Sequence, residues 1–166
     1  TVFVDFGKTS TPSDDFTARI SELASARGIP QLTPDVNDVP GELSELKANI
    51  LAKLTTAFAG TTINFTGEKP ADTRFEAIKV GRLSASVPGA LTSAIGQGTF
   101  DWLNANETTT GFVFPDLITF NATAGAAFDN INLSALPRAS QLRYLENVLT
   151  FYIANETGRG MGLSAS

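Results

Sequence analysis

The chain has 166 residues, which suits one domain built on a single hydrophobic core. Charged residues make up 17% and the net charge is −5 with no run of like charges, so a general nucleic-acid or anionic-membrane surface is disfavoured, since both need basic clusters. There is no cysteine and no histidine, which excludes disulfides, Cys-based zinc sites, thiol catalysis and histidine-activated serine.

No apolar stretch reaches the roughly 18 residues that would span a bilayer. Thr1 reads as a processed or trimmed start, so a missing signal segment says nothing about export. The lack of cysteine fits a bacterial exported protein better than a small eukaryotic secreted domain, which usually needs covalent staples. Asn-x-Ser/Thr triplets begin at Asn64, Asn106, Asn121, Asn132 and Asn155; in a Thr- and Ser-rich chain several arise by chance, and glycosylation is left open.

Residues 1–7 read as a strand with Val2, Val4 and Phe6 on one face. Residues 14–27 read as a helix, capped by Ser13, with Asp14 and Asp15 at its positive end and Gly28 closing it. Pro30, Pro34 and Pro40 make 29–40 a loop. The clearest helix spans 41–58, where Leu43, Leu46, Ile50, Leu54, Ala57 and Phe58 recur at steps of three and four, and Gly60 ends it. Strands are expected at 61–66 and 75–80, followed by an irregular, Gly-, Ser- and Ala-rich connection over 82–98. Short strands are expected near 98–102 and 111–114, then a polar loop over 121–135. A last helix runs over 138–158, with Leu142, Leu145, Leu149, Tyr152 and Ile153 on its apolar face. Strands alternating with helices predict an α/β domain with a mixed sheet and no internal repeat.

The closing segment, Asn155 to Ser166, follows the outline HExxHxxGxxH at Glu156 and Gly162. That pattern places two imidazoles one turn apart so that both reach one metal. Here the histidine positions hold Asn155, Arg159 and Ala165. An amide oxygen is a poor zinc ligand, a guanidinium has no lone pair and repels the ion, and alanine offers nothing. Glu156 stands where the general base would be, yet without a metal to acidify its water it has nothing to activate. Helical spacing puts Glu156 on the apolar side with Leu145, Leu149 and Ile153, so a buried-carboxylate partner is expected, with Arg159 the nearest cation.

Beyond this motif, the order of elements resembles the N-terminal part of bacterial secreted metzincin (matrixin-related) metalloproteases. The phrases that carry the resemblance are VFVDFG (2–7), LTTAFAGTTINFTGEKP (54–70), FEAIKVG (75–81) and IGQGTFDWLNANETTTGFVFPDL (95–117), ahead of the metal helix. The resemblance covers nearly the whole chain. It implies a twisted mixed sheet of four or five strands packed on two long helices, a cleft floored by the last helix, and substrate lying along the sheet's edge strand, here Gly98, Phe100 and Trp102. It also implies one domain over 1–166 without the C-terminal Met-turn part, because Met161 lies inside the motif.

The degenerate motif then implies a non-catalytic, exported domain used for binding or self-assembly, such as a matrix, surface-layer or filament subunit. Its expected partner is protein, including copies of itself, and it needs no cofactor. The alternative is a metzincin-type zinc metallopeptidase inactivated at the three histidine positions, or using other ligands. A third reading is an Asp/Glu-based hydrolase, which spacing alone does not locate. A calcium loop from Asp35, Asn37, Asp38 and Glu42 is weaker than a solvated loop with Asp38 as helix cap, because its spacing is not that of an EF-hand.

Overall fold

The computed structural model describes residues 1–7, 15–37, 39–72, 74–82, 84–89, 95–98, 108–118 and 133–162. Among these, five strands form one sheet: β1 (Val2–Asp5), β2 (Phe65–Thr66), β3 (Glu76–Val80), β4 (Gly96–Gln97) and β5 (Thr110–Val113). Three long helices accompany them: α1 (Phe16–Ala26), α2 (Glu42–Ala57) and α3 (Arg138–Gly160). The sheet order is β2-β1-β3-β5-β4. All neighbours are parallel except β4, which runs antiparallel to β5 with Gly96 opposite Val113 and Gln97 opposite Phe112. The expected α/β class with a mixed sheet on long helices is therefore present.

β3 is the central strand, flanked by β1 and β5, and its burial follows from that place. Glu76, Ala77, Ile78 and Val80 are all buried, as parallel strands covered on both faces are. Alternation sends Glu76, Ile78 and Val80 to one face.

Most helix boundaries lie close to expectation, but their caps differ. Asp15, rather than Ser13, caps α1: its Oδ1 accepts from the N–H groups of Thr17 (2.8 Å) and Ala18 (3.4 Å). Ser13 and Asp14 lie outside the described residues, as does Asp38. At α2 the preceding loop folds back instead. Gly41 N–H donates to Asp35 Oδ1 (2.7 Å), and Ser44 Oγ donates to Asp35 Oδ2 (2.7 Å). Thr33 and Glu42 exchange hydrogen bonds, Glu42 N–H to Thr33 Oγ1 (3.1 Å) and Thr33 N–H to Glu42 Oε2 (2.9 Å). This is the logic of a capping box, supplied from nine residues upstream rather than from the adjoining turn.

The apolar stripe of α2 is Leu46, Ile50 and Leu54, with Leu43 and Leu51 packed beside it. Ala57 is exposed, while Phe58 after it packs edge-on against Phe65 of β2, and Gly60 beyond sits at φ 87°. The sequence places the outer strand near 98–102, but β4 begins at Gly96 and the residues from 99 to 107 lie outside the described set. The strand expected over 61–66 shortens to two residues, Phe65 and Thr66.

α2 and α3 pack on one another, and α3 also covers β3, β4 and β5. Ties between the two helices climb both in the same direction, so the helices run parallel. Arg138 forks onto Glu42, with Nε to Oε1 at 2.7 Å and Nη2 to Oε2 at 2.6 Å. Farther along, Glu146 accepts from Asn49 Nδ2 (2.8 Å) and Lys53 Nζ (2.7 Å). No helix among the described residues is long and apolar enough to cross a membrane.

Candidate functional site

The site is the seam where the C-terminal turns of α3 lie on the sheet. Leu145, Leu149, Ile153, Glu156 and Gly160 recur at helical spacing and are all buried. This face meets β3, β4 and β5. Up to Ile153 it is an ordinary apolar stripe. Beyond Ile153 the stripe continues as a carboxylate and a glycine, and the sheet answers in kind.

Under Glu156 the sheet is floored by glycine. A β-carbon at Gly96 would overlap the Glu156 carboxyl group, one at Gly98 would lie 2.9 Å from its Oε2, and one at Gly111 would lie 3.5 Å from its Cβ. Under Gly160 the arrangement is reversed. The Glu76 carboxyl group from β3 occupies the space a side chain there would fill, so any β-carbon at Gly160 would overlap Glu76 Oε1. Helix and sheet thus exchange carboxylates, each seated on glycine of the other.

Both carboxyl groups are nearly out of water: Glu156 is 2% exposed and Glu76 7%. Glu156 Oε2 is buried without a hydrogen-bond partner. Burial pushes the Glu156 carboxyl group above its usual range, and the charge of Arg159 opposes this in part. Glu76 is raised to about 7, chiefly by burial; the Thr1 amino group opposes the shift and the charge of Glu156 adds to it.

The expected Glu156–Arg159 ion pair does not form. Arg159 is exposed and keeps its guanidinium in water, whereas Glu156 is folded inward over the glycine floor. Asn155 is half-buried and lies with Arg159 on the outer flank of the helix. Ala165, Phe100 and Trp102 lie outside the described residues. Gly98 is described and sits beside Glu156, as part of the floor rather than as an open edge.

Sequence reasoning missed Glu76. Its signal was present: in Glu76-Ala77-Ile78-Lys79-Val80 the glutamate shares the face of Ile78 and Val80, a charged residue at an apolar position of a strand.

Among the described residues, no group of three or more His, Cys, Asp or Glu side chains comes together as a metal site. In the loop weighed for calcium, Asp35 holds the start of α2 and Glu42 is engaged by Arg138 and Thr33. Of the glycosylation triplets, Asn64 is exposed at the start of β2, while Asn155 has its Thr157 fully buried. Asn106, Asn121 and Asn132 lie outside the described residues.

Comparison of the chain with protein-family models, with curated proteins and with solved structures finds no match.

The arrangement is poorly suited to general-base catalysis. A base must come within about 3 Å of the proton it takes, directly or through one water. Glu156 is pressed against backbone on its sheet side and has almost no exposed surface.

Proposed function

We propose that this chain is a non-catalytic, exported metzincin-like domain that works by binding protein, with assembly of its own copies as the leading case. The observation that carries the reading is the sealed state of Glu156, the residue in the general-base position, which is 2% exposed over a floor of Gly96, Gly98 and Gly111. The neighbouring positions agree with it. Arg159 places a permanent positive charge where a ligand would stand, and Asn155 offers only a neutral amide.

Support for protein contact comes from the surface. Phe151 is 61% exposed, one turn before Asn155 on the same outer flank of α3. Val36 and Val39, paired across a tight turn at Asn37, are 59% and 66% exposed. Large aromatic side chains held in water on a rigid helix are the type that anchors protein interfaces.

The test pairs a peptide-cleavage screen, run with and without chelator, with sedimentation over a range of concentrations. The expected result is no cleavage and reversible association. Chelator-sensitive cleavage would establish the metallopeptidase alternative, and a strict monomer at high concentration would remove the assembly reading.

A further inference from the structure

Glu76 and Glu156 are seated reciprocally, each against glycine of the other's element. The two side chains come from different elements, β3 and α3, and both lie in the seam between the end of α3 and the sheet, close enough for the charge of Glu156 to act on Glu76. Each carboxyl group lies where its partner element has glycine, in space that a side chain there would otherwise occupy. Among the described residues, Glu156 Oε2 has no donor to stabilise it as an anion. A buried carboxylate oxygen without a donor is costly, and a second buried carboxyl group close enough to feel its charge adds to that cost.

We infer that Glu76 and Glu156 form a proton-held latch: the native fold keeps at least one of them protonated at neutral pH, and ionising both loosens the last turns of α3 from β3, β4 and β5.

The surrounding charges define the balance. Glu76 feels Thr1 and Glu156, and Glu156 feels Arg159. Among the described residues, Gly96, Gly98 and Gly111 lie against Glu156 and Gly160 lies against Glu76, and Thr157, beside Glu156 in α3, is fully buried. Lys79, on the same strand as Glu76, points to the opposite face of the sheet by strand alternation. The two opposing cations do not overcome burial, since both carboxyl groups remain raised.

The sign follows from proton linkage. Between the ordinary carboxyl value of 4.5 and about 7, the folded chain binds more protons at Glu76 than the unfolded chain does. Stability from this group is therefore fully present below 4.5, falls as pH rises and is lost above about 7. One such group changes the unfolding constant by up to about tenfold per pH unit inside that window.

The experiment is chemical denaturation of the full chain from pH 4.5 to 8.5, on the parent, on Glu76→Gln, on Glu156→Gln and on the double variant. Glutamine keeps the shape and removes the ionisation. The parent should lose stability as pH rises, each single variant should reduce the slope, and the double variant should flatten it. Infrared spectra of the parent at pH 6 should also show a protonated-carboxyl stretch that the double variant lacks, which a purely steric role would not produce. An unchanged slope in the double variant, or no such band, overturns the latch. So does a parent whose stability at pH 8 is restored by calcium or magnesium, because the pair would then be holding a cation rather than a proton.

Discussion

The carboxyl group of Glu76 lies against the backbone of Gly160, in the space any side chain at that position would need. The contact joins the central strand to the last turn of α3 and fixes how closely the helix approaches the sheet. It favours glycine at the last residue of the helix, where any β-carbon would overlap Glu76.

Gly160→Ala tests this directly. Helix propensity alone would make the variant more stable, by at most about 1 kcal/mol, because Gly160 is the last helical residue. The overlap with Glu76 should reverse the sign and leave a net loss of about 1–3 kcal/mol, the usual range for overpacking. Equilibrium denaturation in urea at pH 5 measures it. A gain in stability would show that α3 sits farther from the sheet.

Glu42 and Arg138 give a second pH window of opposite sign. The Arg138 hydrogen bonds, reinforced by Thr33, hold Glu42 down to about 2. A depressed acid stabilises the fold above its unfolded value near 4.5, and that contribution is lost as pH falls toward 2. Combined with the raised Glu76, the chain should be most stable on the acid side, near pH 4–5, and less stable in both directions. Arg138→Ala should remove the acid-side fall that depends on Glu42. A double-mutant cycle with Glu42→Gln should give a coupling of about 1 kcal/mol, modest because both side chains remain partly exposed to solvent.

Restoring histidine at Asn155, Arg159 and Ala165 tests the ancestry. The first two face away from the packed seam, so imidazoles there reach solvent and one another. Zinc should raise the melting temperature of the triple variant, chelator should reverse the rise, and the parent should respond to neither. A triple variant indifferent to zinc would count heavily against the metzincin alignment.

Phe151 is the handle on assembly. Phe151→Ser removes an aromatic ring that is 61% exposed and should leave stability within about 0.5 kcal/mol, as surface changes usually do. Sedimentation should show weaker self-association. Unchanged association together with unchanged stability would direct the search to Val36 and Val39.

Much of the architecture was legible because it rests on local patterning. Leu46, Ile50 and Leu54 recur at helical steps, as do Leu145, Leu149 and Ile153, and both sets are fully or almost fully buried. Val2 and Val4 alternate into the core in the same way. The caps were less legible, since Asp35 and Thr33 reach the start of α2 from a loop whose fold-back depends on Gly41. A β-carbon at Gly41 would overlap the backbone of Pro34.

The candidate site divides along the same line. By itself the sequence determined that the chain supplies no imidazole or thiolate, that Arg159 offers no lone pair and Asn155 only a weak amide oxygen at the histidine positions, and that Glu156 lies on the apolar side of its helix. Only the tertiary structure decided what Glu156 meets there. Helical spacing offered Arg159 as a partner, but the fold left that guanidinium in water and brought β4 and β5 glycines beneath the carboxylate. It also brought in Glu76, 80 residues earlier in the chain, because β3 occupies the centre of the sheet directly under the end of α3. Periodicity reports which face of an element turns inward; which groups wait on the other side depends on strand order and helix placement, and these are settled by packing between segments remote in sequence.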